Sequence, residues 1–119
     1  MSASLSLARP PATAAGTPFT DAEQAWFWTM AALAARREGT GRGGTGIQRP
    51  CDPDDIIRAL DQLYRLRRID LLHARILRIW GERGMAPSRL HPGQACDARI
   101  WDEAIDRLGA RLRSRGIVA

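Results

Sequence analysis

Cys51, His73, His91 and Cys96 are the side chains in this sequence with the softest metal-binding and the strongest nucleophilic chemistry. Structural zinc sites set two ligands a few residues apart, so that a short loop preorganises the pair. Here the successive separations are 22, 18 and 5 residues, so no metal site is expected. Nothing marks a lowered thiol pKa for a Cys–His nucleophile. His73 falls on the apolar arc of a predicted helix, where an imidazole hydrogen-bonded to a neighbour is expected. The carboxylates are accounted for without catalysis. Asp52, Asp54, Asp55, Asp70 and Asp97 stand at predicted helix starts, and Asp61, Asp102, Glu103 and Asp106 lie on polar faces beside arginines. General acid–base work needs a buried pair of shifted pKa, and no such pair is evident. The expectation is a protein that is not an enzyme.

Two overlapping runs, Gly39-x-Gly41-x-x-Gly44 and Gly41-x-Gly43-x-x-Gly46, match the spacing of a dinucleotide fingerprint. That fingerprint works only between a strand and the helix whose first amides meet the pyrophosphate. Here a helix precedes the glycines, and Pro50, Cys51 and Asp52 follow. The stretch 39–50 therefore reads as a linker, with Arg42 and Arg49 able to touch a phosphate backbone. No cofactor and no small-molecule ligand are implied.

Charge carries more information. All 18 basic side chains are arginine and lysine is absent, giving a formal charge of +5. Asparagine is also absent, and Ala, Gly, Arg and Pro make up 55 of 119 residues, as drift toward GC-rich codons produces. Arginine identity is therefore uninformative, but arginine position is not. Residues 58–83 carry +4 and residues 107–115 another +4, against −3 elsewhere. Arg58, Arg65, Arg68, Arg75, Arg78 and Arg83 are the candidate nucleic-acid contacts, because clustered guanidinium groups neutralise phosphates.

The elements that position them are helical throughout. Residues 1–18, rich in Ser, Ala, Thr and Pro, read as a disordered tail, and residues 19–119 as a single helical domain with a Gly-rich loop at 39–50. Thr20 with Glu23 makes a capping box for a helix over about 20–38. Asp52-Pro53-Asp54-Asp55 starts a second helix, to about Arg68, with Ile56, Ile57, Leu60, Leu63 and Tyr64 on one arc. Asp70 caps a third over 70–83, burying Leu72, Ile76, Ile79 and Trp80, with Gly81 and Gly84 ending it. A fourth spans 97–115, with Ile100, Trp101, Ala104, Ile105, Leu108 and Leu112 inward and an Arg99–Glu103–Arg107 ladder outward. No segment alternates with the period of a strand, so the fold class is all-α, a bundle of about four helices. An offset of 45 residues aligns Cys51-Asp52 with Cys96-Asp97, and Ala59 and Leu63 with Ala104 and Leu108, the pattern a duplicated helical unit would leave.

A two- or three-residue turn around Arg68-Ile69 implies that the second and third helices are close neighbours. In outline, residues 53–84 resemble a helix-turn-helix DNA reader, with Arg75 and Arg78 presented to a groove. The turn lacks the usual glycine, and no family is implied. On the first helix Trp26, Met30 and Leu33 form the core stripe, yet Trp28 projects nearly opposite, beside Ala25, Ala32 and Ala35. A helix apolar on two sides is buried on two sides, either centrally in the bundle or at a subunit contact, and the second is favoured in so small a protein. Trp28, Ala32 and Ala35 are the candidate homodimer interface, and a dimer suits two DNA half-sites. The residues before Phe19 lack the features of an export signal, and no run of about 20 apolar residues exists, so a cytoplasmic protein off the membrane is expected. The expected function is DNA-binding regulation, with a helical protein–protein adaptor docking through the Trp/Ala or arginine face as the alternative.

Overall fold

The computed structural model describes residues 16–39 and 47–119, and among these the periodicities resolve into four α-helices and no strand. They are α1 (Ala22–Arg37), α2 (Pro53–Arg65), α3 (Leu71–Arg83) and α4 (Ala95–Ser114). The all-α expectation is met. Most of the expected tail, and Arg42 in the glycine-rich loop, lie outside the described residues. Among the described residues backbone pairing already includes Thr17, whose N–H donates to the Gln48 carbonyl at 2.8 Å.

The helix ends show which local signals acted. Asp21, rather than Thr20, caps α1: its side chain accepts from the Gln24 N–H at 2.8 Å. Thr20 instead donates to the Gln24 side chain, through its backbone N–H and its hydroxyl. That releases Glu23 for a partner outside the expected capping box. At α2 the Asp52-Pro53 start works as read, with the Asp55 carboxylate accepting from the Asp52 N–H at 2.8 Å.

The α2 helix stops at Arg65, three residues earlier than expected. The Arg68 N–H turns back to the Leu63 carbonyl at 2.9 Å while Arg67 takes a left-handed backbone, φ 60°. Glycine or asparagine is the usual occupant of that position, and an arginine there costs about 1 kcal/mol. What holds it is Ile69, two residues on, buried in the core. Asp70 caps α3 as expected, accepting from the Leu72 and His73 N–H groups. The α4 helix begins at Ala95 behind Gln94, so Asp97 is not its cap. Cys51-Asp52 precedes a helix while Cys96-Asp97 lies inside one, and the 45-residue alignment thus fails at its start. It keeps Ile56 with Trp101, Ala59 with Ala104 and Leu63 with Leu108 as paired core positions.

The α1 and α4 helices each pack on all three of the others, whereas α2 and α3 barely touch. The cross-section is a rhombus with α1 and α4 across its short diagonal. This corrects the expectation that the short turn makes α2 and α3 close neighbours. It also explains the two-sided apolarity of α1, which faces helices on more than one side. Trp28 packs on Phe19 with ring centroids 5.1 Å apart, and is partly buried within its own chain.

The buried face of α3 is Ile76, Leu77, Trp80 and Gly81. Leu72, expected inside, is exposed, and Ile79 lies at the surface. The face is rotated toward Leu77 because α1 approaches α3 along that line. The Trp26 indole donates to the Leu77 carbonyl at 2.8 Å, and a Cβ on Gly81 would sit 2.5 Å from the same Trp26 nitrogen. Gly81 therefore permits close helix contact; it does not end the helix. Two further indoles complete a circuit: Trp80 of α3 donates to Asp97 of α4 at 3.0 Å, and Trp101 of α4 donates to Glu23 of α1 at 2.8 Å. Beyond α4 the chain returns to its beginning. The Phe19 N–H donates to the Ile117 carbonyl and the Ala119 N–H to the Phe19 carbonyl, each at 2.9 Å, burying Phe19, Ile117 and Val118 together.

Candidate functional site

Because α2 and α3 stand apart, a groove of about 770 Å³ opens between them. Its floor is the stripe Trp26, Met30 and Leu33 of α1, its walls are Ile57 and Leu60 of α2 and Leu71, Ala74 and Ile79 of α3, and Arg37, Arg75 and Arg78 line it with Glu82. Leu71 is 68% and Ile79 36% exposed, so the apolar surface reaches the solvent. Within the floor the Trp26 indole is bonded to the α3 backbone and packed against Gly81. Among the described residues neither Arg37 nor Arg75 has a carboxylate partner, and Arg78 reaches Glu82 only at 3.9 Å across an exposed pair. Such pairs contribute little, so the groove keeps a positive rim.

A second hollow, of about 710 Å³, lies at the α2–α3 turn and is polar. Tyr64, Arg65, Arg67 and Arg68 meet there with Asp70, His73, Glu103 and Arg107. His73 organises the acidic side. Its Nδ1 lies 3.1 Å from both the backbone nitrogen and a carboxylate oxygen of Asp70, and its Nε2 lies 3.0 Å from a Glu103 carboxylate oxygen. The expected hydrogen-bonded imidazole is thus present, but it joins the α3 cap to α4 across the surface. The backbone N–H of His73 holds the Asp70 carboxyl below its ordinary range. The hydrogen bond from the His73 ring, and then Arg107, do the same for Glu103. Alongside, Arg68, Arg107 and Arg111 line a smaller hollow over Leu63 and Leu66. Arg111 and Arg115 both donate to the Gln62 amide oxygen, and the buried Nε of Arg111 has no hydrogen-bond partner among the described residues.

The six arginines singled out by charge are thus divided. Arg75 and Arg78 line the groove, and Arg65 and Arg68 the turn hollow. Arg58 pairs with Asp55 at 2.8 Å, and Arg83 stacks its guanidinium 4.4 Å above the Trp80 ring. Arg65 also pairs with Asp61 at 2.8 Å. Arg49, read as a phosphate contact, is stacked 4.2 Å over Phe19 and bonded to the Thr17 carbonyl. Trp28, Ala32 and Ala35 are all partly buried. Outside the candidate contacts stand Arg37, and also Arg67 and Arg107, although these two fall within the charged segments 58–83 and 107–115. Arg67 had a signal, the absence of glycine in a turn that had to reverse the chain. The role of Arg37 depends on tertiary structure alone.

Among the described residues no cluster of three or more His, Cys, Asp or Glu could hold a metal ion. None of the helices is long and apolar enough to cross a membrane, among the described residues. Burial pushes the Cys51 thiol up to about 11, with Asp55 and Asp52 adding to the effect. Comparison with known proteins finds no family model, no curated protein and no solved structure that matches this chain.

Proposed function

We propose that this protein is a non-enzymatic helical adaptor whose α2–α3 groove receives an acidic amphipathic helix of a partner protein. The observation that carries the reading is the groove itself, an apolar trough between two helices with arginines along its rim. Helix-in-groove recognition uses apolar anchors at i, i+3 or i+4, and i+7 on the ligand. The walls supply a matching track: α3, at 13 residues, is about 20 Å long, the length of three to four helical turns. Arg37, Arg75 and Arg78 select a ligand with carboxylates flanking its anchors, since complementary rim charge sets orientation and encounter rate. A second copy of this chain, itself carrying +5, is a poor occupant.

This reading reassigns Arg75 and Arg78 from DNA to protein. Presenting them to a duplex groove needs α3 packed on α2 as a unit, and these helices instead flank a trough. Homodimerisation through Trp28 loses its motive, since Phe19 already covers one face of that ring. Two labelled designed helices of identical leucine pattern, one flanked by glutamates and one by lysines, test the reading by fluorescence polarisation. The acidic helix is expected to bind, with Leu71→Asp and Arg75→Glu each weakening it at least tenfold. Equal binding of both helices, or of neither, overturns the proposal.

A further inference from the structure

We infer that the hollow at the α2–α3 turn is a binding site for the phosphodiester backbone of single-stranded nucleic acid, independent of the groove. Four arginines, Arg65, Arg67, Arg68 and Arg107, face two carboxylates there. Asp70 is engaged by the α3 amides and Glu103 by His73 and, at 3.7 Å, by Arg107, while Arg65 is paired with Asp61 at 2.8 Å. Arg67 and Arg68 have no carboxylate partner among the described residues and are exposed. Their forked guanidinium groups match phosphate oxygens two at a time. Arg68 and Arg107 also line the neighbouring hollow with Arg111, against the single carboxylate of Asp106, so the positive surface continues along α4.

Two observations narrow the ligand class. Arg67 stands in a left-handed backbone position that glycine would occupy at lower cost, which brings a third guanidinium to the hollow beside those of Arg65 and Arg68. Tyr64 lines the same hollow and is 44% exposed, offering a ring on which an unpaired base can stack. A base inside a duplex cannot use that ring, and inorganic phosphate has no use for it. Stacking beside a basic track is how single strands are held without sequence readout.

The test uses the full chain and a fluorescein-labelled 12-nucleotide oligothymidylate, its duplex with oligoadenylate, and inorganic phosphate as competitor, between 50 and 200 mM salt. The single strand is expected to bind more tightly than the duplex. The double variant Arg67→Ala/Arg68→Ala should weaken it at least tenfold and lower the log–log salt slope by about 1.4, the value for two single-strand phosphate contacts. Arg67→Gly keeps the left-handed turn while removing the guanidinium, so it should fold at least as well as the parent and still lose binding. Tyr64→Ala should weaken the single strand and leave any duplex binding unchanged. Arg58→Ala, at a site paired with Asp55, serves as control and should change affinity less than twofold. Duplex binding as tight as the single strand, affinity untouched by the arginine pair, no oligonucleotide binding at 50 mM salt, or response to phosphate alone would each overturn the inference.

Discussion

The indole nitrogen of Trp26 lies 2.5 Å from where a Cβ on Gly81 would have to be, and Met30 Cγ lies 2.8 Å from it. A glycine inside an exposed helix is a liability of about 0.5–1 kcal/mol relative to alanine. At position 81 the sign reverses, because the methyl would enter space already filled by the groove floor. Gly81→Ala is expected to lower stability by roughly 1–3 kcal/mol, the range for overpacking a filled core. A urea midpoint equal to or above that of the parent would show that α1 and α3 can part without cost.

Acid should weaken the fold through the cluster at the α3 cap. Asp70 is held below its ordinary 3.8 chiefly by the His73 backbone N–H, and Glu103 below its ordinary 4.5 chiefly by the His73 ring. A carboxyl whose folded pKa is depressed adds stability that is fully present above its unfolded value and lost as pH falls through the folded one. Stability should therefore begin to fall below pH 4.5. Denaturant midpoints for Asp70→Asn/Glu103→Gln should fall less steeply over that range than those of the parent. Parallel curves would show that the His73 contacts do not couple to folding.

The two thiols should differ in reactivity. Cys51 is raised to about 11, chiefly by burial, while Cys96 is exposed on α4. At pH 8 only about one Cys51 in a thousand is thiolate, the reactive form. Iodoacetamide should modify one cysteine per folded chain, Cys96, and both in urea. Rapid native labelling of Cys51 would contradict its burial and its acidic neighbours.

Trp28→Ala should lower stability by roughly 1–3 kcal/mol, from lost area and the Phe19 ring pair. Sedimentation should give the same mass for variant and parent. A fall in mass without a fall in stability would restore the ring to a subunit contact.

Legibility in the sequence followed the range of the interactions. Asp52-Pro53 and Asp70 act within one helical turn, and both helix starts were readable. The inward arc of α4 was readable because α4 is long enough for its 3.6-residue period to be plain. Thr20 failed against Asp21 because two adjacent residues could each cap, and the choice fell to Glu23, whose carboxylate is needed by Trp101, 78 residues away. The end of α2 was misread because Arg67 holds a glycine's conformation under the pull of Ile69. The groove was out of reach: it exists only because α2 and α3 avoid each other, and no spacing along the chain records that. Charge counting singles out Arg65, Arg68, Arg75 and Arg78 but joins into one face what tertiary packing divides between two hollows.

The circuit of indole hydrogen bonds also gives the protein a built-in set of optical reporters. Trp26 senses the α1–α3 contact, Trp80 the α3–α4 contact and Trp101 the α4–α1 contact. Chains that keep one of these indoles, with phenylalanine at the other tryptophan positions, would each emit from a different seam of the bundle. Comparing the time at which each emission band shifts red in a stopped-flow trace would reveal whether the three seams open together or one after another.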